Sequence, residues 1–184
     1  MGSGITAVGL RSAPGLPLPG AGRIASRLAA RAAAVAMLFA PAPLAAQSNN
    51  VRITQLSDVA FGSLANLGVD ASAAQNICVF AQTSGNRYRV AATGSAPGGA
   101  FALTSGSDLL NYEVQWNAAS GQSSGLQLSP SVALTGLISA ATQQSCNSGP
   151  ATSASLILLL RSTALQSAKA GSYAGTLTLV IGAD

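Results

Sequence analysis

Residues 171–184 read GSYAGTLTLVIGAD. From Thr176 to Ile181 the side chains alternate between two faces. Leu177, Leu179 and Ile181 share one face, and Thr176, Thr178 and Val180 share the other. That period of two belongs to a strand and not to a helix. The stretch predicts a β-strand over 175–182 with the Leu177 set toward the core. No further apolar segment follows it in the sequence, so one edge of this strand is expected to stay open.

The same period recurs upstream. NYEVQWN, 111–117, places Tyr112, Val114 and Trp116 inward and Glu113 and Gln115 toward solvent. NRYRVAA, 86–92, places Tyr88 and Val90 inward and Arg87 and Arg89 outward. Phe101 with Leu103, Leu126 with Leu128, and Val132 with Leu134 repeat the two-residue spacing, and LSDVAFG, 56–62, reads as an early strand. SLILLL, 155–160, is apolar on both faces. A central strand and a buried helical turn both fit, and its shortness favours the strand. Small polar turns separate the segments: TSGN at 83–86, SAPGG at 95–99, ASGQSSG at 119–125 and CNSGP at 146–150. One short helix is expected within STALQSAKAG, 162–171, capped by Gly171. Short strands at this spacing predict a single all-β domain over 47–184, an antiparallel β-sandwich.

The chain of 184 residues carries a formal net charge of +4, but the excess is local. Arg11, Arg23, Arg27 and Arg31 precede AAAVAMLFAPAPLAA, 32–46, and no acid lies among them. A basic stretch, an apolar run and small residues before a polar start describe a secretory signal peptide over 1–46, cleaved after Ala46. A membrane anchor is the alternative. The run is broken by Pro41 and Pro43 and falls short of the ~20 residues a spanning helix needs, so no membrane span is expected after cleavage. From Gln47 onward, Arg52, Arg87, Arg89, Arg161 and Lys169 balance Asp58, Asp70, Asp108, Glu113 and Asp184. A neutral domain gives no footprint for nucleic acid. Export would place Cys78 and Cys146 in an oxidising compartment and join them in a disulfide; two buried free thiols are the alternative.

The sequence contains no histidine. A Ser-His-Asp triad, a Cys-His pair and a histidine metal site are thereby excluded. The remaining acids suit turns and strand surfaces, and SAPGGA lacks the Lys-Ser/Thr of a phosphate loop. The domain is therefore expected to be neither an enzyme nor a cofactor binder. Tyr112 and Trp116 are expected in the core and not at a sugar site. Arg87 and Arg89 read as solubilising charges on an outer face, with contact to an anionic surface as the sharper alternative.

These features together carry a resemblance. ITQLSDVAFGSL, 53–64, stands before Cys78; NRYRV and NYEVQW follow; Gly171, Tyr173, Thr176, Leu177, Thr178 and Leu179 close the chain in a Gly-x-Tyr-x-x-Thr-Leu-Thr-Leu pattern. In outline, residues 51–184 resemble the spore coat protein U-like subunits of archaic chaperone–usher pili. The chain departs from that pattern where Tyr112-Glu113-Val114 replaces a tyrosine-rich strand and where a second cysteine pair is absent.

The resemblance implies an immunoglobulin-like sandwich lacking its final strand. It further implies transit through the periplasm to the cell surface as part of a fimbrium. The implied partners are a periplasmic chaperone, an outer-membrane usher and other pilus subunits. The chaperone and then a neighbouring subunit would add a strand beside the last one, with Gly171, Tyr173, Leu177, Leu179 and Ile181 as the contact residues. Donation is another matter. QSNNVRITQ, 47–55, offers only Val51 and Ile53 as apolar residues, whereas a donor strand needs roughly ten or more residues of alternating apolar sequence. A subunit that accepts a strand but donates poorly suits a tip position; alternatively Val51 and Ile53 simply begin the domain's own first strand. The competing function is a self-contained secreted β-sandwich that binds carbohydrate or another surface ligand.

Overall fold

Arg87 to Gly94 shows how this sequence folds. Tyr88, Val90 and Ala92 are fully buried while Arg87 and Arg89 are exposed, the alternation of a strand with one wet face. A computed structural model describes residues 49–184, so the signal peptide expected over 1–46 lies outside the described residues. The strands are β1 (Asn50–Thr54), β2 (Ala71–Gln82), β3 (Arg87–Gly94), β4 (Ala102–Ser105), β5 (Asp108–Asn111), β6 (Glu113–Asn117), β7 (Leu126–Gln127), β8 (Leu134–Ile138), β9 (Ala154–Leu160) and β10 (Leu177–Ala183). One short helix, α1 (Ser162–Ser167), follows β9.

All strand ladders are antiparallel. One sheet has the order β1-β2-β9-β6-β7, a second β10-β3-β8, and β4-β5 form a separate hairpin. Ile77 and Val79 of β2, Val114 and Trp116 of β6 and Leu156 and Leu160 of β9 meet Tyr88, Val90 and Ala92 of β3 in one core cluster. Two sheets closing face to face on a shared core make a β-sandwich. β9 is buried along nearly its whole length, as its two apolar faces predict for the centre of a sheet. Inside, the Trp116 Nε1–H donates to the Tyr88 hydroxyl at 3.1 Å, and the two rings meet edge to face. The two large polar aromatics thereby satisfy each other in an apolar core.

Cys78 and Cys146 form a disulfide. They lie on the outer side of the larger sheet in a small second cluster with Ala141 and Phe80. The bridge holds the 143–146 turn against β1 and β2. From that turn the Gln144 side-chain oxygen accepts from Arg52, and the Ser145 carbonyl accepts from Gln55.

The structure redraws several sequence expectations. LSDVAFG is not a strand: β1 ends at Thr54, and Gln55 and Gly62 take positive φ, 65° and 66°, outside strand geometry. Val59, Phe61 and Leu64 still pack on the core from an irregular segment. Leu126 and Val132 are exposed, 57% and 59%, whereas Leu128 is buried; around so short a β7 the two-residue spacing sets no common face. The helix stops at Ser167 and is closed by Ala168, whose N–H reaches the Leu165 carbonyl. Gly171 is not its cap. It packs so closely on Ser105 that an added Cβ would lie 2.8 Å from the Ser105 hydroxyl.

Candidate functional site

β10 pairs along its whole length with β3, from Leu177 opposite Gly94 to Ala183 opposite Tyr88. Among the described residues no strand pairs with its other edge. Lettered in the immunoglobulin manner, the larger sheet runs A-B-E-D through β1, β2, β9 and β6, and β3 and β10 are strands C and F. The final strand G of that order would lie beside β10, on the unpaired edge.

Side chains along this edge are apolar and incompletely covered. Leu177, Leu179 and Ile181 are half-buried on the core side, and Thr178 and Val180 are exposed on the other. β1 lies alongside β10 without a ladder between them. Its Val51 and Ile53 are half-buried against the same core. Five aliphatic side chains thus line the seam between the two edge strands. Beneath them Val90 and Ala92 are fully enclosed. The unpaired backbone of β10 offers alternate N–H and C=O groups, and the seam offers apolar contacts to every second side chain of an added strand.

The remaining site candidates lie outside β10 itself. Both glycine and tyrosine candidates precede β10: Gly171 packs on Ser105 of β4, and Tyr173 is half-buried against the core. Tyr173 donates its hydroxyl to the Lys169 carbonyl at 3.1 Å, and the next residue, Ala174, forms a two-bond bridge with Thr104. Val51 and Ile53, the candidate donor residues, are committed to β1, in register with Ala81 and Val79 of β2.

One charged cluster was not legible in the sequence. Arg161, just after β9, holds Glu113 through two bonds of 2.9 and 2.7 Å and Asp70 at 3.0 Å. Glu113 is therefore not simply solvent-facing. Asp70 also accepts the Ser162 N–H at 2.8 Å, which supplies a partner to the first turn of α1. That backbone bond, followed by the Arg161 bond, pushes the Asp70 pKa below its ordinary value. The hydrogen bonds from Arg161 do the same for Glu113. Lys169, in the segment after α1, binds Asp108 of β5 at 2.7 Å. Each of these two bases is thus paired with an acid from another part of the chain. The only hint in the sequence is a charge count that balances.

No helix among the described residues is long and apolar enough to cross a membrane. No protein-family model and no curated protein matches this chain. Among solved structures the chain is similar to one described as a chaperone–tip adhesin complex vital for synergistic activation of CFA/I fimbriae biogenesis, with a TM-score of 0.47 and 18% identity. That match covers 73% of this chain and 42% of the other, so this chain spans less than half of that protein's length.

Proposed function

We propose that this protein is a non-catalytic, cofactor-free structural or adhesive subunit of a surface fibre, exported through the periplasm and completed by a strand from another protein laid against β10. The observation that carries the reading is the unpaired edge of β10 above the half-buried Leu177, Leu179 and Ile181. An open strand edge over an apolar seam invites unspecific pairing. A chaperone strand would cover it in transit and a neighbouring subunit would cover it in the fibre, after delivery to an outer-membrane usher. Backbone bonds give such strand addition much of its affinity, and side-chain pockets give it selectivity.

The commitment of Val51 and Ile53 to β1 favours a subunit that accepts a strand and donates poorly, as a tip position requires. The test is periplasmic expression with and without a candidate chaperone from an adjacent gene. The reading expects a soluble one-to-one complex with the chaperone, and aggregation or degradation without it. A soluble, stable monomer without any partner would overturn it in favour of a self-contained binding module. Growth of a polymer from this chain alone through residues 47–55 would overturn the tip position while leaving strand acceptance intact.

A further inference from the structure

The outer face of β10-β3-β8 has a charge distribution that the fold does not use. Of the five basic residues among 49–184, Arg161 and Lys169 are bound to acids, and Arg52 reaches Gln144. The two left, Arg87 and Arg89, are neighbours on the exposed face of β3. Neither guanidinium has a salt-bridge or hydrogen-bond partner among the described residues. Two positions apart on a strand, they stand roughly 7 Å from one another along it. The one acid near them by register is Asp184, and its carboxylate accepts the Gly136 N–H at 2.5 Å instead.

The surroundings keep this face flat. Arg89 lies opposite Gly182 in the ladder. A Cβ at Gly182 would meet Arg89 Nε, Nη2 and Cζ at 3.3, 3.5 and 3.6 Å. The near-equal distances mean that the guanidinium lies broadside on the strand, which a side chain there would obstruct. Exposed Val180 and Ile138 flank the pair, opposite Ala91 and Arg87 respectively. Two rigid donor forks on a flat, sparsely aliphatic surface suit the paired oxygens of carboxylate or sulfate groups. The face carries no aromatic anchor of the kind that dominates protein–protein interfaces. It also falls short of the clusters of about four to eight basic residues that bind anionic membranes.

From this charge complementarity we infer that Arg87 and Arg89 form a docking face for an anionic polysaccharide, one bearing carboxylate or sulfate groups. The face lies on the outside of the sheet and the open edge of β10 lies at its side, so the site is independent of how that edge is filled. The described domain has equal numbers of acids and bases, so retention by such a polymer would not follow from net charge.

The test uses the full exported chain in whatever assembly it is purified. Its binding to immobilised heparin, a sulfated glycan, and to polygalacturonate, a carboxylated one, is measured across a salt series beside neutral dextran. Binding to at least one acidic glycan and not to dextran is expected, weakening as salt rises. The Arg87→Gln/Arg89→Gln variant should bind at least about tenfold more weakly, the loss of roughly one charge-assisted bond or more. Arg52→Gln, with the same charge change per residue at another site, should bind as the parent does. Binding to both glycans or to one separates sulfate from carboxylate preference and supports the site either way. Equal loss in Arg52→Gln and the double variant, no binding by the parent, or binding only to phosphatidylglycerol vesicles would overturn it.

Discussion

Arg161 illustrates how much one side chain organises here. It draws together Glu113 at the start of β6 and Asp70 just before β2, and Asp70 in turn meets the first turn of α1. Both carboxylates titrate below their ordinary values of 3.8 and 4.5. The folded state therefore holds fewer protons than the unfolded chain in mild acid. The cluster's contribution is fully present above about pH 4.5 and is lost as pH falls through the depressed folded values. Arg161→Gln is expected to flatten that acid limb in part, because the Ser162 N–H stays on Asp70, while changing neutral stability little, since the groups are well exposed. Urea midpoints from pH 7 to pH 3, followed by the fluorescence of the single tryptophan, would show it. Tyr88 is the buried counterpart. Tyr88→Phe leaves the Trp116 N–H without its acceptor in a fully enclosed position, and should cost about 1–3 kcal/mol, read from the same unfolding curves at neutral pH.

At the scale of elements, β10 and the disulfide turn answer different demands. Under the proposed function, β10 presents its edge while Leu177, Leu179 and Ile181 stay against the core. A charge on that side should act differently from one on the solvent side. Leu179→Asp is expected to weaken association with a strand-donating partner at least about tenfold, by placing an unpaired carboxylate in an apolar seam. Thr178→Asp, one residue away on the exposed face, should associate within about twofold of the parent, a difference of under about half a kcal/mol. Co-purification with the chaperone and titration of a synthetic alternating peptide would measure both. The disulfide constrains the other flank. It spans 68 residues, and the Cys78→Ala/Cys146→Ala variant should lose ~4 kcal/mol by the chain-entropy estimate. Thermal unfolding of the chaperone-bound or peptide-filled protein, with and without the bridge, checks that figure.

For the whole molecule the decisive feature is the imbalance of its two sheets. The five-stranded sheet carries the disulfide-held turn on its outer side, whereas the three-stranded sheet ends on β10, whose outer edge has no paired strand among the described residues. A strand supplied in trans should therefore raise stability in proportion to its concentration and affinity, since it binds only the folded state. Addition of an alternating apolar peptide is expected to raise the melting temperature progressively. A melting temperature indifferent to peptide would place the missing cover elsewhere.

The sequence by itself determined the strands and their faces wherever side chains alternate strictly. Tyr88 and Val90, Val114 and Trp116, and Leu177 through Ile181 have the orientations their spacing demands, because period two leaves no choice once one face is apolar. The cysteine pairing was legible too, since two cysteines in an oxidising setting have one partner each. Other features depend on contacts between distant residues. The break at Gln55, the release of Leu126 and Val132 to solvent, and the Arg161 cluster bring together positions that local pattern cannot connect; Arg161 and Asp70 are 91 residues apart. The tertiary structure alone decided that Gly171 packs on the hairpin and that Val51 and Ile53 belong to β1. It alone brought β1 beside β10 without pairing them. A hydrophobic pattern states which side chains seek cover; only the packed sheets state which edge is left without a neighbour.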